Sequence, residues 1–493
     1  MAKHSFFNKL FVILFSLGIV YLSLNSALFL IFAPLQASIF GVEISFAALD
    51  NPVIISLCLI MVGILFRWLD FKFKTASPVP HSYFVFIVFS VVFLLHLSSE
   101  VMTPYDSKHT ILVTRSIITD GKVNLDKYRS FIKPNDHGIE FIDGHIYNFF
   151  PIGVSLLAIP IVLLYNDEMV KTTYINSSGE IERFIASFFV ALSSVFIYLI
   201  SFQLLKNKKY SVLLVFIYAF CTSAWSTASR ALWQHGPAML MLAFSLYLIL
   251  LAKKKPFFIQ YLSLPLIFSY IVRPTNSISV FFLTLYVCLN YRIYLFRYLL
   301  WGGMLAGGFI FFNYSIYHHP LPTYYLPSRV ANTHHFFEAL LGNLISPARG
   351  LFVFSPIFIF SLLGFISKIR NKTIEALDYF LVIIVVGHWI VISRFTHWWG
   401  GWSFGPRFFS DMIPYLIYLM VPTVRDIANL SKIKKVVAIS IFCILMMLSF
   451  LLHYRGANYK ETMGWNTSPS NVDLTPSRIW DWSDLQFLRG RQD

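Results

Sequence analysis

The sequence predicts an all-α polytopic membrane protein, a bundle of about thirteen transmembrane helices, and three observations carry that prediction. Of 493 residues, 57% are apolar and 18% aromatic, whereas only 13% are charged, about half of what soluble domains carry. Mostly apolar runs of roughly 15 to 25 residues recur from end to end, the length that crosses a bilayer as helix. The charge is lopsided, with 39 Lys and Arg against 24 Asp and Glu for a net +15, and many of the basic residues cluster between the runs. These features exclude a secreted disulfide scaffold, a cytosolic Rossmann enzyme and a disordered hub. They make the positive charge a topology signal first, so no nucleic-acid partner is expected.

Taken in order, the spans centre near Leu22, Ile60, Ser90, Ser194, Ala219, Phe244, Leu264, Leu283, Gly308, Phe360, Val385, Leu416 and Met446. Three parts follow: two N-terminal helices in 1–80, a transmembrane core in 81–453 with a long loop at 99–183, and an aromatic tail in 454–493. The N-terminal run is too long for a signal peptide and lacks a small-x-small cleavage site. Seven Lys/Arg clusters lie between spans, at Lys3/Lys9, Arg67/Lys72/Lys74, Lys206/Lys208/Lys209, Lys253/Lys254/Lys255, Arg292/Arg297, Lys368/Arg370/Lys372 and Arg425/Lys432/Lys434/Lys435. The positive-inside rule makes these, and the N-terminus, cytoplasmic and leaves the C-terminus external. Pro151 to Tyr165 is short for a crossing and reads as a helix lying at the interface. The four cysteines, Cys58, Cys221, Cys288 and Cys443, sit in apolar runs without metal-ligand spacing and read as packing residues.

In the first external loop, apolar spacing predicts a helix over 107–118 that Gly121 ends as a C-cap. Asp106 then stands at or just before a helix N-terminus, either as an N-cap or as a carboxylate placed to take a proton from a hydroxyl. Gly138 to Tyr147 reads as a hairpin turning at Asp143-Gly144. His137 and His145 lack paired metal-ligand spacing, so no metal site is assigned and dependence on a divalent cation stays open.

Six arginines stand outside the basic clusters, the first loop and the tail: Arg230, Arg273, Arg329, Arg349, Arg394 and Arg407. The topology rule does not ask for them. Arginine keeps its proton and offers a fork of donors matched to phosphate, so six at one membrane face point to a bound anion. The plainer reading is that each snorkels to lipid headgroups or caps a helix. Trp398, Trp399 and Trp402 fit an interfacial belt or a sugar-stacking platform equally. The tail, with Trp465, Trp480, Trp482 and Phe487, reads as a loop packed over the external face rather than a disordered end.

With these residues in place, the order of parts resembles the GT-C glycosyltransferases, the class that includes protein O-mannosyltransferases and the lipid A aminoarabinose transferase. The resemblance rests on the aspartate-led loop, the helix ending in Asp-Gly, the Phe-Pro-led interfacial helix, Arg273-Pro-Thr-Asn276, and Gly400-Gly-Trp-Ser-Phe-Gly-Pro-Arg-Phe-Phe409 before Pro414. It covers roughly 90–452. It implies a GT-C-like bundle, a polyprenyl-phosphate sugar donor such as undecaprenyl phosphate-linked sugar, and a glycan or lipid acceptor such as surface lipopolysaccharide O-antigen, handled at the external face of a bacterial inner membrane. It further implies that Asp106 is the general base, with Arg407, Arg273, Arg230 and Arg394 as donor-phosphate ligands. Tyr105, His109, His235, Trp399 and Trp402 become candidate substrate contacts. The chain departs from the class in lacking a large soluble external domain, in adding two N-terminal spans, and in carrying Phe150 and Gln234-His235 where relatives often place an acid or base.

Two other classes fit in part. A transporter or lipid flippase would show matched halves with broken helices, and no internal repeat is evident. A lipid-linked polysaccharide ligase or polymerase would carry its main external loop late, whereas here that loop comes early.

Overall fold

The computed structural model describes residues 36–39, 42–45, 81–103, 105–326, 330 and 335–490. The chain divides into two units, Met1–Ser90 and Val91–Asp493. In the first, strands β1 (Gln36–Ile39) and β2 (Val42–Ser45) pair antiparallel, Gln36 opposite Ser45. The two spans expected near Leu22 and Ile60 lie outside the described residues, as does Arg329.

The described residues are mostly helical. After α1 (His81–Leu97) comes the long loop, with α2 (Thr110–Asp120), the hairpin β3 (Ile139–Ile142) and β4 (His145–Asn148), α3 (Ile152–Val162) and α4 (Asp167–Ile175). Gly121 ends α2 with a left-handed φ of 63° and returns its N–H to Ile117 O, the geometry that glycine adopts without penalty. Asp143 and Gly144 both have positive φ at the hairpin turn, as a two-residue connection of right-twisted strands requires. The segment expected to lie at the interface forms α3. Gly153 lets it press on the chain ahead of Arg273, because a Cβ there would lie 2.6 Å from Ile271 O.

The bundle continues with α5 (Glu180–Leu205), α6 (Lys208–Phe220), α7 (His235–Ala252), α8 (Ser263–Val272), α9 (Ser277–Asn290), α10 (Leu295–Tyr317), α11 (Phe336–Ile345), α12 (Ile359–Arg370), α13 (Ala376–Ile392), α14 (Ile413–Ala428) and α15 (Lys432–Asn458). The eleven expected span centres that fall within the described residues all lie in helices. Four of these helices are long and apolar enough to cross a membrane: α5, α7, Arg292–Tyr317 and α15. The other seven are shorter. Proline accounts for part of the difference from the expected count, since it lacks the N–H that continues a helix and disfavours helical backbone in the residue before it. Pro256 opens a seven-residue 3-10 segment ahead of α8, Pro274 and Pro356 open single turns ahead of α9 and α12, and Pro414 sits in the first turn of α14.

Burial separates two kinds of long helix. The apolar windows of α5 and α7 are 78% buried and form the centre of the bundle, whereas those of Arg292–Tyr317 and α15 are 17% buried and present their apolar surface outward. The tail begins later than the expected 454, because α15 runs to Asn458. It is ordered: Trp465, Val472 and Ile479 bury against Trp398, Trp399, Ala339 and Ala348.

Candidate functional site

Four segments far apart in sequence converge on a cavity of about 1370 Å³. The turn before α2 brings Asp106, the approach to the hairpin brings His137, the α8–α9 break brings Arg273, and the glycine-rich loop between α13 and α14 brings Trp402 and Arg407. Arg273 is offered to the cavity because Pro274 follows it, and its backbone is extended (φ −154°, ψ 117°). Gly400, Gly401 and Gly405 take positive φ, so the loop before Arg407 can turn tightly.

Arg407 is the hub. Its Nη2 donates to Asp106 Oδ2, its Nε to His235 Nε2 at 3.2 Å and its Nη1 to Gly400 O at 3.1 Å. The guanidinium lies 3.9 Å from the centre of the Trp233 ring, stacking range for a cation on indole. Asp106 also faces His137 Nε2 at 3.5 Å. Burial acts to raise the Asp106 carboxyl, but the Arg407 charge, with hydrogen bonds from His137 and Arg407, outweighs it and holds the group well below the usual carboxylate range. His137 moves the opposite way, raised chiefly by its hydrogen bond to Asp106.

A second acid–arginine pair backs the first. Arg273 Nε lies 2.7 Å from Asp411 Oδ2 and 3.0 Å from Thr275 Oγ1; the Asp411 contact is one of charge rather than a directed hydrogen bond. His235 joins the two pairs, with Nδ1 3.2 Å from Asp411 Oδ1. Arg273 Nη1 also lies 3.0 Å from both ring nitrogens of His235, and since Arg407 and Arg273 can only donate, the ring accepts from them as a neutral imidazole. The resulting chain runs Asp106, Arg407, His235, Asp411, Arg273. Asp411 was not foreseen in the sequence. It stands four residues beyond Arg407, where it read as the head of an apolar span. Glu182 was also unforeseen: it lines the cavity from the first turn of α5 and accepts from Ser107 Oγ and Leu232 N.

The other expected site residues divide. Asp106 does not cap α2, whose N-cap is His109 with no side-chain cap bond; its carboxylate turns to Arg407. Tyr105 and Trp402 line the cavity edge to face, ring centres 5.9 Å apart, and Trp402 is tied to Asn471 Oδ1 at 3.1 Å. His109 is buried between the His137 carbonyl (3.1 Å) and Tyr174, and burial lowers it to about 4, so it supports His137 rather than lining the cavity. Trp399 is buried in the tail cluster, its Nε1 on Asp473 Oδ1 at 2.7 Å. Arg394 is exposed on the Phe336 ring, 5.3 Å from its centre.

Arg230 is fully buried away from the cavity. It donates to the carbonyls of His96 and Ser99 and to Ser229 Oγ, fastening the end of α1 to the turn after α6. Arg349 is likewise buried, donating to Trp399 O, Ala348 O, Gln486, Gly401 O and Asn466. Arg349 meets five carbonyl-type acceptors and Arg230 two carbonyls and a hydroxyl, all within the chain. His145 bonds Asp126, and no group of three or more His, Cys, Asp or Glu among the described residues is arranged to hold a metal ion. No protein-family model and no curated protein matches the chain.

Proposed function

We propose that the chain is a membrane-embedded glycosyltransferase of the GT-C kind, with about thirteen spans, that moves a sugar from a polyprenyl-phosphate donor to a glycan or lipid acceptor at the external face of the membrane. One observation carries the reading: a carboxylate and an arginine, Asp106 and Arg407, meet at a large cavity beside long apolar helices. Sugar transfer from a lipid phosphate needs both groups. The acceptor hydroxyl attacks the anomeric carbon, its proton passes to Asp106, and the bond from that carbon to the phosphate oxygen breaks. The phosphate leaves with one more negative charge, which Arg407 stabilises with Arg273 behind it. A single displacement from the face opposite the phosphate inverts the anomeric centre. Tyr105 and Trp402 supply ring faces and edges for the sugar.

The test is transfer of radiolabelled sugar from polyprenyl-phosphate donors in membranes holding the native protein or Asp106→Asn. Transfer by the native protein that disappears in the variant, at unchanged protein level, supports the reading. Equal transfer by both removes Asp106 from the chemistry, and no transfer from any donor defeats the assignment.

A further inference from the structure

The Arg407 guanidinium already holds an anion. Its Nη2 bonds the Asp106 carboxylate, its Nε bonds His235, its Nη1 bonds the Gly400 carbonyl, and one face is covered by Trp233. A phosphate oxygen arriving in the cavity therefore meets a guanidinium with three of its five N–H donors engaged, one of them on the Asp106 carboxylate. Two anions drawing on the same donor repel each other, so the newcomer binds in proportion as the resident leaves.

Of the two acid–arginine pairs, only one is built to exchange. Asp411 is 0% exposed and Arg273 6%, and Asp411 stands in the turn leading directly into α14, so that carboxylate has no water to move into. Asp106 keeps 24% of its side chain exposed. It stands on a turn ahead of α2 rather than inside a helix, and its other partner, His137, is 73% exposed and protonatable. A rotamer change can carry the Asp106 carboxylate off Arg407 while His137 still faces it.

We infer that Asp106 is the resident counter-anion of Arg407 and that a phosphate-bearing ligand binds by displacing it. Anion binding and release of the carboxylate are then a single event. In the empty site Asp106 is tied to a cation and is a poor proton acceptor; once phosphate holds Arg407, the carboxylate loses that cation, regains basicity and is free to face an acceptor hydroxyl. The site is thereby inert toward an acceptor until the phosphate is seated. The inference rests on reading Arg407 as a phosphate seat and does not require that a sugar be transferred.

Equilibrium binding to the purified full-length protein in nanodiscs tests it, with polyprenyl phosphate in one arm and inorganic phosphate in the other. The proteins are native, Asp106→Asn and Arg407→Gln, with Asp106→Ser measured in place of the asparagine variant if that one does not fold. Removing the competitor tightens the ligand by the reciprocal of the fraction of sites already open, on the order of tenfold or more. Asp106→Asn should bind polyprenyl phosphate about tenfold more tightly than native, and Arg407→Gln should lose the binding. Tightening in the lipid arm supports displacement by a lipid headgroup. Tightening for inorganic phosphate alone supports displacement and assigns the seat to soluble phosphates. Equal or weaker binding by the Asp106 variant in both arms overturns the inference, as does native affinity in Arg407→Gln. Tighter binding by the Asp106 variant, together with no sugar transfer by the native protein, would sink the transferase reading and leave the displacement standing.

Discussion

Replacing Arg349 with methionine separates an arginine that builds the fold from one that serves the cavity. Arginine has five N–H donors, and in Arg349 five bonds account for all of them: Nε to Trp399 O at 2.6 Å, Nη1 to Ala348 O and Gln486 Oε1 at 2.9 and 2.8 Å, and Nη2 to Gly401 O and Asn466 Oδ1 at 3.1 and 2.9 Å. Gln486 and Asn466 belong to the tail, so this one side chain ties the tail to the 399–401 loop. Only the bonds to Gln486 and Asn466 break when the tail opens, and two bonds from a charged donor at about 1.5 kcal/mol each put the loss at about 3 kcal/mol. If that loss falls on local opening of 459–490, the open population rises about a hundredfold, at about 1.4 kcal/mol per decade. Limited trypsin digestion of the detergent-solubilised protein reads this directly through cleavage after Lys460 and Arg478, followed by mass spectrometry. A cleavage rate within about threefold of native, an energy near 0.6 kcal/mol, would refute the claim that Arg349 holds the tail.

Three further outcomes are expected. Gly153→Val should lower the thermal midpoint in detergent, because a Cβ at 2.6 Å from Ile271 O meets backbone that cannot step aside, at a cost of about 1–3 kcal/mol; Gly303→Ala, with no atom within 4 Å, should not lower it. Trp233→Leu removes the ring beneath Arg407 and should weaken phosphate binding about 2- to 30-fold, from about 0.5–2 kcal/mol of cation–π attraction, and unchanged affinity would reduce the ring to packing. His137, raised by Asp106, should titrate above the ordinary histidine value of about 6.5 by NMR and fall toward it in Asp106→Asn. Because the folded value is the higher one, the stabilisation from this pair is full below the unfolded value and is lost as pH rises through the folded one; an unmoved titration in the variant would contradict the pairing.

Local geometry was the legible part of this chain. Gly121 and Asp143-Gly144 announce their turns because positive φ depends on the residue itself, and both appear where the pattern put them. Helix centres were readable from apolar runs. Helix lengths were not, since Pro356 breaks the helix inside the run expected as one span near Phe360. Among the six isolated arginines, Arg273 and Arg407 reach the cavity, while Arg230 and Arg349 turn to carbonyls. Sequence offers no way to tell these apart, because the deciding partners, Ser99 for Arg230 and Gln486 for Arg349, lie more than a hundred residues away. Asp106 shows the same limit from the other side. Local pattern made an N-cap plausible, and a residue 301 positions onward determined the outcome.

That separation bears on how the protein is made. At about 5–20 residues per second, Arg407 leaves the ribosome roughly 15 to 60 s after Asp106. For all that time the aspartate, the hairpin and the helices around them must wait with the arginine that completes the site still unsynthesised. A chain truncated just before the glycine-rich loop would carry α1 to α13 and an Asp106 faced by His137 but without its arginine. The joining of Asp106 to Arg407 is thus one of the last steps in assembling the site.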